Sequence, residues 1–253
     1  MSELNQVRMV FIAITKHGAK QVGALAPALP NAEICISEKV FAELGHVPNS
    51  VHRYNGALKD EIERLFKHYD QLVFFVSLGA VVRLVAPHLK SKDEDPGISV
   101  VDDAGEFVIP VLSGHVGGAN ACAEQLADLL GAKAVVTTAS DVGKTIPVDI
   151  LGRALGWKVE APKLNVTRVS ADVVNGEQIA FVQETGSPHW WTRPTPLPNN
   201  IKLFSRFSDV DLNHFKSILW VTHSEIPDSL WQALNERLVV YRPPNEIQQE
   251  TIQ

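Results

Sequence analysis

Residues 112–120 read Leu-Ser-Gly-His-Val-Gly-Gly-Ala-Asn and stand between an apolar run of strand character and an alanine- and leucine-rich run of helical spacing. A strand that passes through a glycine-rich turn into a helix leaves backbone N–H groups at the helix N-terminus, where the peptide dipoles favour negative charge. Gly114, Gly117 and Gly118 have no Cβ and so let a ligand approach the main chain. Ser113 and Asn120 offer directed donors, and His115 either donates to an anion or moves a proton near neutral pH. The junction reads as an anion-holding turn. The competing structural reading is that its small residues pack the helix tightly on the sheet and that His115 is a satisfied core histidine.

Other polar residues follow apolar runs in the same way. Ser77 and Gly79 follow "QLVFFV", Ser113 follows "FVIPVL", and Thr137, Thr138 and Asp141 follow "KAVV". Parallel α/β sheets hold ligands beyond the carboxyl ends of their strands, so these residues are expected to share a cleft, although each also suits a simple cap. Arg83 stands in an otherwise apolar helical run, where its guanidinium snorkels, pairs with an acid or reaches a ligand. Lys90 and Lys92 lie in a charged turn, either solvated or at the rim of a site for carboxylates.

Spacing counts against several chemistries. A nucleophile elbow needs glycines two residues either side of Ser113, where Val111 and His115 stand. Gly143-Lys144-Thr145 ends like a phosphate-binding loop, but Thr138 occupies the place of its first glycine. The 9 histidines include no H-x-H and no H-E-x-x-H, so no protein-bound metal is expected. Cys35 and Cys122 are far apart, which gives no disulfide framework and fits a reduced, cytoplasmic compartment. With 29 acidic against 23 basic residues and no basic block, neither a nucleic-acid surface nor a membrane is expected as a partner.

The 253 residues suffice for one large domain or two small ones. Up to about residue 156, apolar runs alternate with amphipathic stretches in a βαβ rhythm. Helices are expected over 17–28, 58–69, 79–89 and 116–131, and a hairpin around Asp103-Ala104-Gly105. The expected fold is a three-layer, mostly parallel α/β sheet over 1–156, a second and smaller α/β domain over 157–243, and a flexible tail over 244–253. Asn175-Gly176 between two alternating runs predicts a hairpin in the second domain, "HWWTRPTPLPNN" a proline-rich loop, and "SILWVTH" and "RLVVYRPP" two strands.

Residues 77–141 resemble the N-terminal region of the cobalamin biosynthesis protein CbiG family. They carry G-A-V-V-R, D-P-G-I-S-V-V-D, L-S-G-H-x-G-G-A-N and T-T-A-S-D in the family's order. Residues from about 145 to 243 resemble its central region. Many members continue into a C-terminal domain with its own glycine-rich start, so with an end at Gln253 the expectation is a stand-alone or a shortened form. The resemblance implies cobalt-precorrin-5A hydrolase activity in the oxygen-independent route to vitamin B12: water opens a δ-lactone on a cobalt-containing macrocycle, and C-20 leaves with its methyl group as acetaldehyde. The cobalt would arrive inside the substrate, so no cofactor is expected.

The resemblance assigns no roles by itself. Lactone opening needs activated water and a stabilised oxyanion. His115 is the first choice for acid or base and Asp141 the alternative, with N–H groups near Gly117 and Gly118 as oxyanion donors. Gly79, Arg83, Ser113, Gly114, Gly117, Gly118, Asn120, Thr137 and Thr138 are the expected substrate contacts. Two other readings stand beside this one: a non-catalytic tetrapyrrole-binding subunit that needs a separate C-terminal-type partner or neighbouring pathway enzymes, and a nucleotide-binding Rossmann-like protein.

Overall fold

A computed structural model describes residues 7–245, so most of the expected 244–253 tail lies outside the described residues. The chain divides into two compact units, Met1–Thr137 and Thr138–Gln253.

The first unit runs β1 (Met9–Ala13), α1 (Lys16–Leu25), β2 (Glu33–Ser37), β3 (Val51–Tyr54), α2 (Ile62–His68), β4 (Gln71–Phe75), α3 (Leu78–Val85), β5 (Gly97–Val101), β6 (Phe107–Leu112), α4 (Ala119–Leu130) and β7 (Lys133–Ala134). Its seven strands lie in the order β3-β2-β1-β4-β5-β6-β7. β1, and β4 after its first residue, are continuous apolar runs because both of their faces are covered. Met9, Phe11, Val73 and Phe75 pack with Val22 and Leu25 of α1 and Cys122 and Leu126 of α4. Val10, Ile12, Leu72 and Phe74 pack on the other face with Ile62 and Leu65 of α2 and Val81 and Val85 of α3. This is the expected three-layer sheet. Local signals set the helix ends: the Thr15 hydroxyl accepts from the Gly18 N–H at 3.0 Å, and Gly131 closes α4 at φ +66°.

Strand direction changes once. β1 to β5 are mutually parallel, β6 is antiparallel to β5, and β7 follows β6 in parallel. The reversal is the hairpin expected at Asp103-Ala104-Gly105. Its turn is closed by the Asp102 carboxylate, which accepts from the N–H groups of Ala104 at 3.1 Å and Phe107 at 2.7 Å. The strand expected at "KAVVTT" is limited to Lys133 and Ala134, continued by one further bond from the Val135 N–H to the Val108 carbonyl.

The second unit runs α5 (Ala139–Val142), β8 (Lys158–Glu160), α6 (Lys163–Val174), β9 (Ile179–Gln183), β10 (Ile201–Phe204), β11 (Ser217–Val221), α7 (Asp228–Ala233) and β12 (Leu238–Arg242). Its five strands lie in the order β10-β9-β11-β12-β8, all parallel to their neighbours except β8 against β12. Ile146, Val148 and Leu151 pack in this unit's core with Trp157 and Tyr241, whose buried hydroxyl donates to the Val148 carbonyl at 2.8 Å. The segment 138–156 therefore goes with the second unit, and the division falls earlier than the sequence boundary at 156. The hairpin expected at Asn175-Gly176 is not formed. The run before it is α6, which buries Asn165, Val169 and Val173 at four-residue spacing; Asn175 is its C-cap and Gly176, at φ +77°, turns the chain into β9. Both cysteines are free and buried, and burial pushes both thiols up to about 12.

Candidate active site

The turn at 113–118 is built largely from its own main chain. Ser113 leaves β6 in the left-handed region at φ +54°, and Gly118 enters α4 at φ +80°. The Gly118 N–H donates to the His115 carbonyl at 3.0 Å, the Ala119 N–H to the Ser113 carbonyl at 3.2 Å, and the Asn120 N–H to the Gly114 carbonyl at 3.0 Å. Three donors at this helix start are thus consumed inside the turn, and the Gly118 N–H expected to hold an oxyanion is one of them. The glycines also serve the turn itself. A Cβ on Gly114 would run into the buried Asn120 carboxamide, and one on Gly117 into Ser113 and the Gly97 nitrogen. At both positions it is protein, not ligand, that needs the missing Cβ.

One residue of this arrangement escaped sequence reasoning. Gln71 opens β4, is 4% exposed, and passes its side chain over Gly97 so that Nε2 donates to the Gly117 carbonyl. Its Oε1 is buried without a hydrogen-bond partner. The available signal was an amide at the head of an otherwise apolar strand. Gln71→Leu removes the bond and leaves the Gly117 carbonyl unpaired, so a loss of about 1–3 kcal/mol is expected in urea unfolding. Unchanged stability would mean that the turn holds itself.

The polarity of the sheet separates the candidate residues. Ser113 follows β6 and stands beside Gly97 and Gln71, at the starts of β5 and β4. Thr137 follows β7, which is parallel to β6, and so faces the same end. Gly79 and Arg83 lie in α3, beyond the other end of β4; the five residues of that strand put roughly 16 Å between the two ends. The expectation that Ser77, Gly79 and Ser113 share one edge is corrected by the antiparallel β6. Arg83 is exposed, and its Nη1 donates to the Gly79 carbonyl at 2.7 Å. On that same end, after β1 and β5, His17 Nδ1 lies 2.9 Å from Asp103 Oδ2, and both side chains are exposed.

Thr138 and Asp141 belong to the second unit, where Thr138 is the N-cap of α5 and its carbonyl accepts from the Asp141 N–H at 3.0 Å. Arg193, from the proline-rich loop, places Nη2 2.7 Å from Asp141 Oδ1, with both side chains about three-quarters buried. Arg193 was not singled out by the sequence, where it is one base in an otherwise unpatterned loop. Gly143-Lys144-Thr145 follows the one-turn α5 and opens no helix. A phosphate-binding loop needs a helix to begin there, so the nucleotide reading loses the part of its support that rested on this loop.

The family model for the N-terminal region of cobalamin synthesis protein G matches residues 60–141, and the model for the cobalamin biosynthesis central region matches residues 146–243. Over 232 residues the chain is 42% identical to cobalt-precorrin-5A hydrolase of Priestia megaterium, an alignment that takes in 92% of this chain and 61% of that protein. It is 30% identical over 191 residues to cobalt-precorrin-5A hydrolase of Salmonella typhimurium, covering 76% of this chain and 50% of the relative. The chain thus spans between half and three-fifths of the length of these curated relatives. The two family regions follow one another in the expected order and run from α2 through the Ser113–Asn120 turn to β12, reaching into both compact units: the chain belongs to the cobalamin biosynthesis protein CbiG family.

Proposed function

We propose that this chain is a cobalt-precorrin-5A hydrolase of the oxygen-independent route to vitamin B12. The observation that carries the reading is the 42% identity to the Priestia megaterium hydrolase over 92% of the chain. Water adds to the lactone carbonyl, the tetrahedral intermediate collapses to a carboxylate and a free hydroxyl, and loss of the hydroxyl proton lets the neighbouring C–C bond break. Acetaldehyde leaves and cobalt-precorrin-5B remains. Each stage needs a group that takes or returns a proton.

His115 is assigned that task, because the turn holds its backbone by the bond from Gly118 and an imidazole changes charge near neutral pH. Asp141 is the alternative base. Ser113, Asn120 and Thr137 supply donors at the turn's end of the sheet, and Gly114, Gly117 and Gly118 shape the turn that presents them. Gly79 and Arg83, beyond the opposite end of the sheet, are not assigned to the same site as His115. Cobalt is part of the substrate, and the reaction asks no cofactor of the protein. No helix among the described residues is long and apolar enough to cross a membrane; the proposed reaction, on a water-soluble macrocycle, is a cytoplasmic one.

Purified chain supplied with cobalt-precorrin-5A is expected to release one acetaldehyde per substrate consumed. Tight binding of the macrocycle without acetaldehyde would move the chemistry to a separate C-terminal-type partner and leave this chain as a binding subunit. Absence of both binding and turnover would overturn the assignment.

A further inference from the structure

On the face of the first sheet covered by α2, neighbouring strands set Cys35 of β2 directly beside His52 of β3, its register partner. Glu61, the N-cap residue of α2, completes the group. The Cys35 Sγ, a His52 ring nitrogen and a Glu61 carboxylate oxygen lie within 4.8 Å of one another, and His52 Nε2 is 3.1 Å from Glu61 Oε2. Around a tetrahedral zinc-class ion with bonds of about 2.0–2.3 Å, adjacent donors stand roughly 3.3–3.7 Å apart. Side-chain rotation alone closes a difference of this size. The donors are graded from interior to surface, with Cys35 buried, Glu61 half-buried and His52 exposed, which gives an ion a way in.

A second observation points to the same place. Tyr54 lies two residues beyond His52 in β3 and so on the same face of the sheet. It is 5% exposed, and its hydroxyl is buried without a hydrogen-bond partner. An orphaned hydroxyl in the same buried cluster as Cys35 calls for a further polar group, and a water bound to an ion is one. Meanwhile Arg64 supplies the positive charge: its Nε is 3.1 Å from Glu61 Oε2 and its Nη2 3.9 Å from Cys35 Sγ. As part of a half-exposed side chain on α2, that guanidinium is able to swing out as an ion enters.

We propose that Cys35, His52 and Glu61 form a three-donor site for one divalent ion of zinc-like softness, with water as the fourth ligand. Binding breaks the Cys35 S–H bond as the sulfur–metal bond forms, and the proton goes to solvent. His52 contributes a ring-nitrogen lone pair in its neutral form, and Glu61 exchanges its contacts with His52 and Arg64 for the ion. Spacing in the sequence shows nothing of this, because the three donors come from separate elements. The site stands apart from the hydrolase reading.

The test uses the full chain stripped by a chelator and titrated with Co2+, which reports a bound thiolate by a charge-transfer band in the near ultraviolet. The expected result is a band that saturates at one equivalent, disappears in Cys35→Ser and persists in Cys122→Ser. His52→Ala, at an exposed position, is expected to weaken binding at least about tenfold with an unchanged circular dichroism spectrum. This second variant decides the matter if Cys35→Ser does not fold. No band in the wild-type chain, a band that survives Cys35→Ser, or unaltered affinity in His52→Ala overturns the site.

Discussion

His115→Asn is expected to leave the chain folded and to slow acetaldehyde release by about a hundredfold or more. The turn asks the backbone of residue 115 for a carbonyl, which accepts from the Gly118 N–H at 3.0 Å, and asparagine supplies the same carbonyl. Asparagine also keeps a hydrogen-bonding side chain of comparable reach. What it lacks is a nitrogen that takes up a proton near neutral pH. If the imidazole moves the proton, the loss falls on kcat while KM changes little, because the carboxylate arms of the substrate bind elsewhere. Release of acetaldehyde under saturating substrate gives the measurement, with urea unfolding as the control for stability. A folded variant with wild-type turnover would transfer the role to Asp141, held 2.7 Å from Arg193, or to a partner protein.

Gly117→Val is expected to fail as a fold before it fails as an enzyme. Read from sequence, the glycine gives a ligand access to the backbone, so valine there should weaken binding in a stable protein. The structure puts the Ser113 Cβ, the Ser113 carbonyl and the Gly97 nitrogen in the way of any Cβ at this position. All three belong to the junction of β5, β6 and the turn, and none is the far end of a flexible side chain. The chain can relieve the overlap by opening the turn, at the expense of the bonds closed by Ser113, Gly114 and Gln71, or by displacing β6. A loss of about 3 kcal/mol in urea unfolding follows from overpacking at a site with so little room. Gly79 makes the contrast, since a Cβ there meets only the movable end of Arg83 at 3.3 Å. A Gly117→Val protein as stable as wild type, with weakened substrate binding, would restore the access reading.

The sequence announces the two faces of the first sheet well, because β1, β4 and β5 are largely apolar on both sides, α1 and α4 carry caps, and α2 has helical spacing. It does not announce β3, whose residues 51–54 include the exposed pair His52 and Arg53, or β10, where Lys202 and Leu203 are exposed. These strands are set by their neighbours in the sheet, and neither has a strong pattern of its own. Asn175-Gly176 shows how one dipeptide serves two ends: the same left-handed glycine closes a hairpin or a helix, and the four-residue spacing of Asn165, Val169 and Val173 decides between them. The candidate site was half legible. The Ser113–Asn120 turn was found by its residue types, but the shared edge with Ser77 and Gly79 was not a sound inference even from the sequence. The hairpin at Asp103-Ala104-Gly105 already reverses β6, and with it the end at which Ser113 stands. Gln71 and Arg193 stayed hidden because each acts through a partner distant in the chain.

The brevity of β7 has a consequence for how molecules of this protein meet one another. An open sheet risks recruiting a strand from a second copy wherever a long, unpaired edge runs straight. The first sheet ends on one side at β3, four residues long, with the cationic Arg53 among them. On the other side β7 pairs with β6 at Phe107 and Val108, which would leave the rest of β6 as a template within this sheet. Pro110 stands in that stretch, paired with Ser99 of β5 on its inner side, and it has no N–H to offer an incoming strand. Each border of the sheet therefore carries its own guard against edge-to-edge aggregation, a short charged strand on one side and a missing donor on the other.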